Sequence, residues 1–242
     1  IFMAKDFVFD TVVFGPINSD FILYRLIDKA LLLLGMPTLP EFQLSLINID
    51  LSAQFFIHIS TTFYLSLVLA TPVIIYQLWS FVKPALYENE KRAARGAFAF
   101  AGILFLMGVL VGYYLIFPLT LRFLGTYQVS YEVANQISLQ SYISMFTWLI
   151  LIMGVVFEMP SLAVILSKLG ILTKSFLKKY RRHAFVVMLV LAAFITPSGD
   201  PFTLMAVGLP LYGLYELSFL VCRDFDKYCK CLSDKYRLIL VC

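Results

Sequence analysis

The chain has 242 residues, of which 61% are hydrophobic and only 14% charged, little more than half the charged share of ordinary soluble domains. Its 19 Lys and Arg against 15 Asp and Glu give a formal net charge of +4, and mean hydropathy is +0.87. So few charges cannot keep a globule of this size dispersed, which argues against a soluble enzyme, a disordered chain and a nucleic-acid binder. The four cysteines, Cys222, Cys229, Cys231 and Cys242, crowd into the last 21 residues, so a disulfide scaffold is excluded as well.

Ile1-Phe2-Met3-Ala4 before Lys5 reads as the tail of an apolar segment, without the basic stretch that opens a signal peptide. The sequence is therefore expected to start inside a first helix. Residues 1–50 carry Lys5, Asp6, Asp10, Asp20, Arg25, Asp28, Lys29, Glu41 and Asp50, too many charges for a membrane span. Asn18, Ser19 and Asp20 offer a helix N-cap. Phe21, Ile22, Leu26, Ile27 and Leu31 follow with helical spacing, and Gly35 and Pro37 stop the helix. Two readings fit equally: an amphipathic helix lying along a membrane or capping a bundle, and a surface helix on a loop.

A transmembrane helix needs about 20 mostly apolar residues. Stretches free of Asp, Glu, Lys and Arg run from Leu51 to Val82, Gly96 to Leu121, Val133 to Phe157, His183 to Gly199 and Pro201 to Tyr215. They predict five spanning helices near 54–82, 96–123, 139–167, 182–197 and 202–222. The last two are barely long enough and must thin the bilayer or stand upright. The expected class is an all-α polytopic membrane protein: a cap over 1–50, a bundle over 51–222 and a tail over 223–242. Pro72, Pro118, Pro160 and Pro210 interrupt four of these helices. Each removes a backbone donor and bends its helix. That predicts a bent bundle with a concave face, although proline is frequent in membrane helices in any case.

Charge sets the orientation. With five spans, segments 83–95, 168–182 and 223–242 share one side and hold 15 of the 19 basic residues. The other side holds Lys5, Arg25, Lys29 and Arg122. Basic loops stay in the cytoplasm, so the C-terminal tail is expected inside and the 1–50 cap outside. The cysteines then face a reducing compartment as thiols. Cys229-Lys230-Cys231 is too little for a zinc site, and no metal or cofactor is expected.

A few carboxylates are out of place. Glu158 lies ten residues before Lys168, roughly 15 Å below the interface and near the bilayer middle. A charge there costs about 2.5–3.5 kcal/mol, and such residues are functional candidates by default. A structural hydrogen bond between helices is the competing reading. Glu216 is six residues from Cys222, shallow enough to snorkel, and its two readings balance. Asp200 follows Thr196-Pro197-Ser198-Gly199 at the outer turn, where a cap role suffices. His58 is expected to be interfacial or packed. The inner loop Phe81-Val82-Lys83-Pro84-Ala85-Leu86-Tyr87-Glu88-Asn89-Glu90-Lys91-Arg92 presents Glu88 and Glu90 on a cationic side. Either suits a guanidinium, but composition alone favours a simple helix-dipole role.

At this loop a resemblance emerges. Leu69-Ala70-Thr71-Pro72-Val73-Ile74-Ile75-Tyr76-Gln77-Leu78-Trp79, then Phe81-Val82-Lys83-Pro84-Ala85-Leu86-Tyr87 and Glu90-Lys91-Arg92, resembles the TatC family of twin-arginine translocases. So do Phe157-Glu158-Met159-Pro160, Thr196-Pro197, and Pro210-Leu211 with Tyr215-Glu216. The likeness covers roughly residues 51–222 in order. It implies six helices, of which five would be present here, with both termini cytoplasmic, two short final helices and a cupped shape. It implies a receptor in the bacterial inner membrane, not an enzyme, for folded cargo whose signal peptide carries two consecutive arginines. The partners implied are single-span TatA-type and TatB-type subunits and further copies in a larger complex, with transport driven by the proton-motive force. On the matching positions, Glu90 would pair with signal arginines and Phe81 would shape the contact. Glu158 matches the family's membrane acid and Asp200 its outer-loop acid, within one residue. The segment Asn48-Ile49-Asp50-Leu51-Ser52-Ala53-Gln54 departs from the family pattern, so no roles carry over there.

A proton-coupled transporter of small solutes would also place an acid at mid-membrane. It would show repeated halves with paired broken helices, and the sequence has no such repeat. An intramembrane enzyme would need a nucleophile with a base, or metal ligands, and no such set lies within the helices.

Overall fold

The computed structural model describes residues 6–18, 21–33, 35, 46–85, 88–127, 136–168, 174–196, 200–201 and 203–219; at positions 30, 85, 88–94, 97, 168 and 174–176 the description covers the backbone. Nearly everything described is helical. The N-terminal stretch is a π-helix, Phe7–Val13, followed by a 3₁₀ turn, Gly15–Ile17. Helix α1 spans Ile22–Leu33. It stops where Gly35 takes φ +69 and its N–H reaches Leu32 O at 3.1 Å, a left-handed exit that glycine adopts without strain. Ser19, Asp20 and Pro37 lie outside the described residues.

Helix α2 runs unbroken over Ala53–Val82 despite Pro72, and a 3₁₀ turn at Lys83–Ala85 ends it. Helix α3, Glu88–Val111, passes through a π turn at Gly112–Ile116 into α4, Phe117–Thr126. The π turn ends just before Pro118, which sits in the first turn of α4, where its missing N–H is tolerated. Helix α5, Leu139–Phe157, starts from a Ser138 cap whose Oγ accepts from Ser141 N at 3.2 Å. It breaks at Glu158 and resumes as α6, Met159–Lys168, with Pro160 in its first turn. A short α7, Lys174–Lys179, precedes α8, Arg181–Ile195, and the last described helix, α9, covers 203–219.

Among the described residues three helical stretches are long and apolar enough to cross a membrane: Ala53–Val82, Phe98–Thr126 and Leu139–Ser167. Helix α8, with 15 residues, rises only about 22 Å, as its short charge-free window predicts. One departure from the all-α expectation is a parallel pair of two-residue strands, β1 (Leu46–Ile47) and β2 (Ile137–Ser138). Leu46 faces Ile137 and Ile47 faces Ser138. Two residues are too few for an alternation to show in sequence, and only their meeting makes them strands.

Among the described residues, helices α3 and α5 pack more extensively against each other than any other pair. Their backbones approach where side chains are missing. A Cβ on Gly108 would sit 2.7 Å from both Met153 O and Phe157 Cβ, and one on Gly154 would sit 2.8 Å from Phe105 Cε2. One turn beyond, a Cβ on Gly112 would press Met153 Cβ at 3.1 Å and Ile150 Cα at 3.3 Å. In lipid no hydrophobic force draws helices together, so close van der Waals approach at small residues must do so. Around this crossing Ile116, Phe117, Phe146, Leu149 and Met153 are buried. The Phe117 ring meets Phe146 edge-on at 5.0 Å and Tyr142 at 5.4 Å.

The N-terminal cap is tied to this core by tyrosine hydroxyls. Tyr142 donates to Val13 O at 2.6 Å and Tyr113 to Val12 O at 2.9 Å. Those carbonyls close the π-helix, where the chain itself leaves acceptors without partners. Tyr24, the buried anchor of α1, donates to Pro118 O at 3.0 Å. Burial pushes its phenol up to about 12, against the opposing pull of Arg122, whose guanidinium stands 5.3 Å from the ring. Tyr24 thus stays a donor throughout the working pH range. Ile22, Leu26, Leu32 and Leu33 of α1 remain exposed, so the sequence's apolar stripe only partly turns inward.

Gly108→Ala is expected to destabilise the protein in detergent by about 1–3 kcal/mol through overpacking. Gly213→Ala, where nothing lies within 4 Å, should be neutral or slightly stabilising. Thermal unfolding of both variants checks this, and equal midpoints would disprove the close-packing account.

Candidate functional site

Phe81 lies in the last turn of α2 with 82% of its surface exposed. The chain turns through Lys83–Ala85 and re-enters helix at Glu88. Glu90 therefore sits in the first turn of α3, where the helix-dipole reading of the sequence puts it, rather than on a loop. Its side chain lies outside the described residues. That position favours a carboxylate, because the first-turn N–H groups carry a partial positive charge. Trp79 and Phe98, with ring centroids 5.3 Å apart, hold the two helices together behind this turn. Phe81 and Glu90 thus share the end of the α2–α3 pair, on the two helices that flank the connection.

A groove of about 900 Å³ opens between α2 and α3 from the same end, running from Lys83 and Arg95 to Pro72 and Leu106. A second cavity of about 480 Å³, lined among others by Tyr64, Val109, Tyr113 and Phe146, lies where the N-terminal segment meets α2, α3 and α5.

Glu158 closes α5 at the break before α6. Its N–H bonds to Val155 O at 3.1 Å and its C=O accepts from Leu162 N at 3.0 Å. Ser161 Oγ donates to Glu158 Oε2 at 2.5 Å, while the buried Oε1 has no hydrogen-bond partner among the described residues. The proline at 160 explains the break: without its N–H the ladder cannot continue, and the glutamate's own backbone takes over. Glu158 is thus half served by one hydroxyl of its own turn.

Glu216 has a different setting. Arg181 Nη2, from the start of α8, bonds to Glu216 Oε1, which also accepts from Tyr212 Oη at 2.9 Å. Tyr215 Oη donates to Leu177 O at 2.9 Å and ties α9 to α7. The i to i+4 spacing of Tyr212 and Glu216 was visible in the sequence. The contribution of Arg181 was not, because it lies 35 positions away.

Asp200 caps α9. Its Oδ2 accepts from Thr203 N at 2.9 Å, and its carbonyl accepts from Leu204 N at 3.0 Å and Thr203 Oγ1 at 3.2 Å. Nearby, Trp148 Nε1 donates to Ile195 O at 3.1 Å and joins α5 to the end of α8. His58 packs edge-on against Phe9 at 5.7 Å, as a packed histidine should. The structure therefore brings Phe81 and Glu90 to one helix connection, and leaves Glu158, Glu216 and Asp200 at three separate places. The tail from 220 onward, with all four cysteines, lies outside the described residues.

The family described as Sec-independent protein translocase protein (TatC) matches residues 1–210. A TatC protein of Blattabacterium sp. subsp. Periplaneta americana is 37% identical over 221 residues, covering 90% of this chain and 83% of that protein. One from Helicobacter pylori strain J99 is 42% identical over 165 residues, 68% of this chain and 66% of its own length. A crystal structure of a twin-arginine translocase receptor, TatC in the detergent DDM, superposes with TM-score 0.70 at 31% identity, over 91% of this chain and 88% of that one.

Asp200→Ala is expected to cost about 1 kcal/mol of stability, and Asp200→Asn or Asp200→Ser almost none. Unfolding midpoints read alongside cargo export test this. Loss of export in the Asn variant at unchanged stability would show that the carboxylate acts beyond capping.

Proposed function

The chain belongs to the TatC family of Sec-independent protein translocase proteins, and on that premise we propose that it is the signal-peptide receptor of a twin-arginine export system. It is a membrane protein and a component of that translocase. In this reading it arranges five membrane-spanning helices around a concave face, with the basic 83–95, 168–182 and 223–242 segments in the bacterial cytoplasm. The cargo are folded proteins carrying paired signal arginines, and the partners are TatA-type and TatB-type single-span subunits and further copies of the chain. The proton-motive force drives transport, without catalysis by this chain.

The observation that carries the site is Phe81. An aromatic ring left 82% exposed at a helix end forgoes burial worth about 1.5–3 kcal/mol, which favours a contact surface. Glu90 begins the next helix one connection away. A carboxylate there can take an arginine guanidinium through two parallel N–H···O bonds, which fixes orientation as well as charge. Lysine offers a point charge without the fork, so a twin-lysine signal should bind less well. Glu158 suits a second role as a membrane acid that responds to protons or partner helices, because one of its oxygens remains without a hydrogen-bond partner among the described residues. A solute transporter is not favoured by the family match.

Glu90→Ala is expected to weaken crosslinking of a twin-arginine signal peptide by tenfold or more, while the unfolding midpoint stays within about 0.5 kcal/mol of wild type. Export of twin-arginine cargo at the wild-type rate by this variant would refute the assignment. Glu158→Gln keeps the Ser161 contact but cannot ionise. It should fold normally and slow cargo flux in energised vesicles, and unaltered flux would make Glu158 structural.

A further inference from the structure

The α2–α3 groove has no occupant in the function just described. We propose that it is a binding site for one anionic phospholipid, whose phosphate rests on Lys83 and Arg95 and whose acyl chain runs between Pro72 and Ile103. Three observations carry this. First, the groove is amphipathic in one direction: both cations line it, and beyond them Ile75, Ile103 and Leu106 make it apolar. Neither Lys83 nor Arg95 forms an ion pair among the described residues. A ligand matching that profile carries an anion at one end and hydrocarbon along the rest. Second, the most apolar window of α2 has no buried residue, against 39% and 44% in the two other long helices. The groove therefore opens sideways toward hydrocarbon, where a lipid can enter from the bilayer plane. Third, Tyr76, Trp79 and Ser80 line the groove near the cations, and tyrosine and tryptophan are the side chains that settle at headgroup level. Basic pockets between spanning helices suit phosphate headgroups for these reasons.

Charge also separates this site from the one proposed for signal peptides. Paired signal arginines are repelled by Lys83 and Arg95, whereas a phosphodiester is attracted. The apolar half has its own handle in Gly102. A Cβ there would meet only Ile75 Cδ1 at 3.9 Å, so a larger side chain at 102 fits the helix and fills the groove.

The test uses the full chain purified in detergent and offered equal amounts of palmitoyl-oleoyl phosphatidylglycerol and phosphatidylcholine. Native mass spectrometry counts the lipids retained. The wild type should keep one phosphatidylglycerol with at least tenfold preference. Lys83→Gln with Arg95→Gln should abolish the preference, each cation being worth roughly fivefold. Gly102→Leu should cut retention of both lipids while circular dichroism stays unchanged. Equal retention of the two lipids by the wild type would overturn the proposal. So would phosphatidylglycerol held as tightly by the double variant, or its stoichiometric displacement by a twin-arginine peptide.

Discussion

At Gly108 the backbone of α3 comes so close to α5 that a Cβ would clash with Met153 O and the Phe157 side chain, and Gly154 on α5 receives the Phe105 ring in the same way. Everything else is arranged around that approach. It brings Phe105 and Val109 against Gly154, and Met153 and Phe157 against Gly108. Because lipid tails are as apolar as leucine, burying apolar surface cannot hold such a pair together in a membrane. Contact density can, and it needs small residues on both partners.

The polar contacts follow the same logic at the periphery. Where the N-terminal π-helix ends, Val12 and Val13 carbonyls take hydroxyls from Tyr113, in the π turn after α3, and Tyr142 on α5. Where α4 begins, Pro118 O takes the hydroxyl of Tyr24. Unpaired backbone groups are most costly where water is scarce, so these bonds fix the cap in one place on the bundle. Glu158 and Glu216 differ in this respect. Glu216 is matched by Arg181 and Tyr212 and joins α8 to α9. Glu158 has the hydroxyl of Ser161 on one oxygen and no hydrogen bond from the described residues to the other. The same side chain is thus a fastening in one place and an incompletely paired acid in the other.

Much of the fold was legible in the sequence. Helix α2 begins one residue before its predicted start and ends at the predicted Val82. Leu139 opens α5 as predicted, and Gly35 ends α1 as predicted. Apolar run length and glycine conformation are local signals, so they survive folding. The start of α3 was misplaced because Glu88 to Arg95 are charged, and charge argues against a span but not against a helix. The Gly108–Gly112 pair passed unremarked, since a glycine in a helix means nothing until its partner is known. Glu158 was legible as a candidate from type and position, and Phe81 and Asp200 through the likeness to TatC. Their surroundings were not: Ser161 and Thr203 are near in sequence, but Arg181 reaches Glu216 from another helix.

The sequence by itself determined the medium, the helices and the likeness to TatC, because each depends on composition, run length or residue order. Only the tertiary structure decided which acids are paired, which aromatic rings stay out, and that a groove with two cations at its mouth opens beside α2. Those outcomes depend on which helices meet and how closely. That distance is set by atoms that are absent, at Gly108 and Gly154, and a string of residues does not say what will stand opposite them.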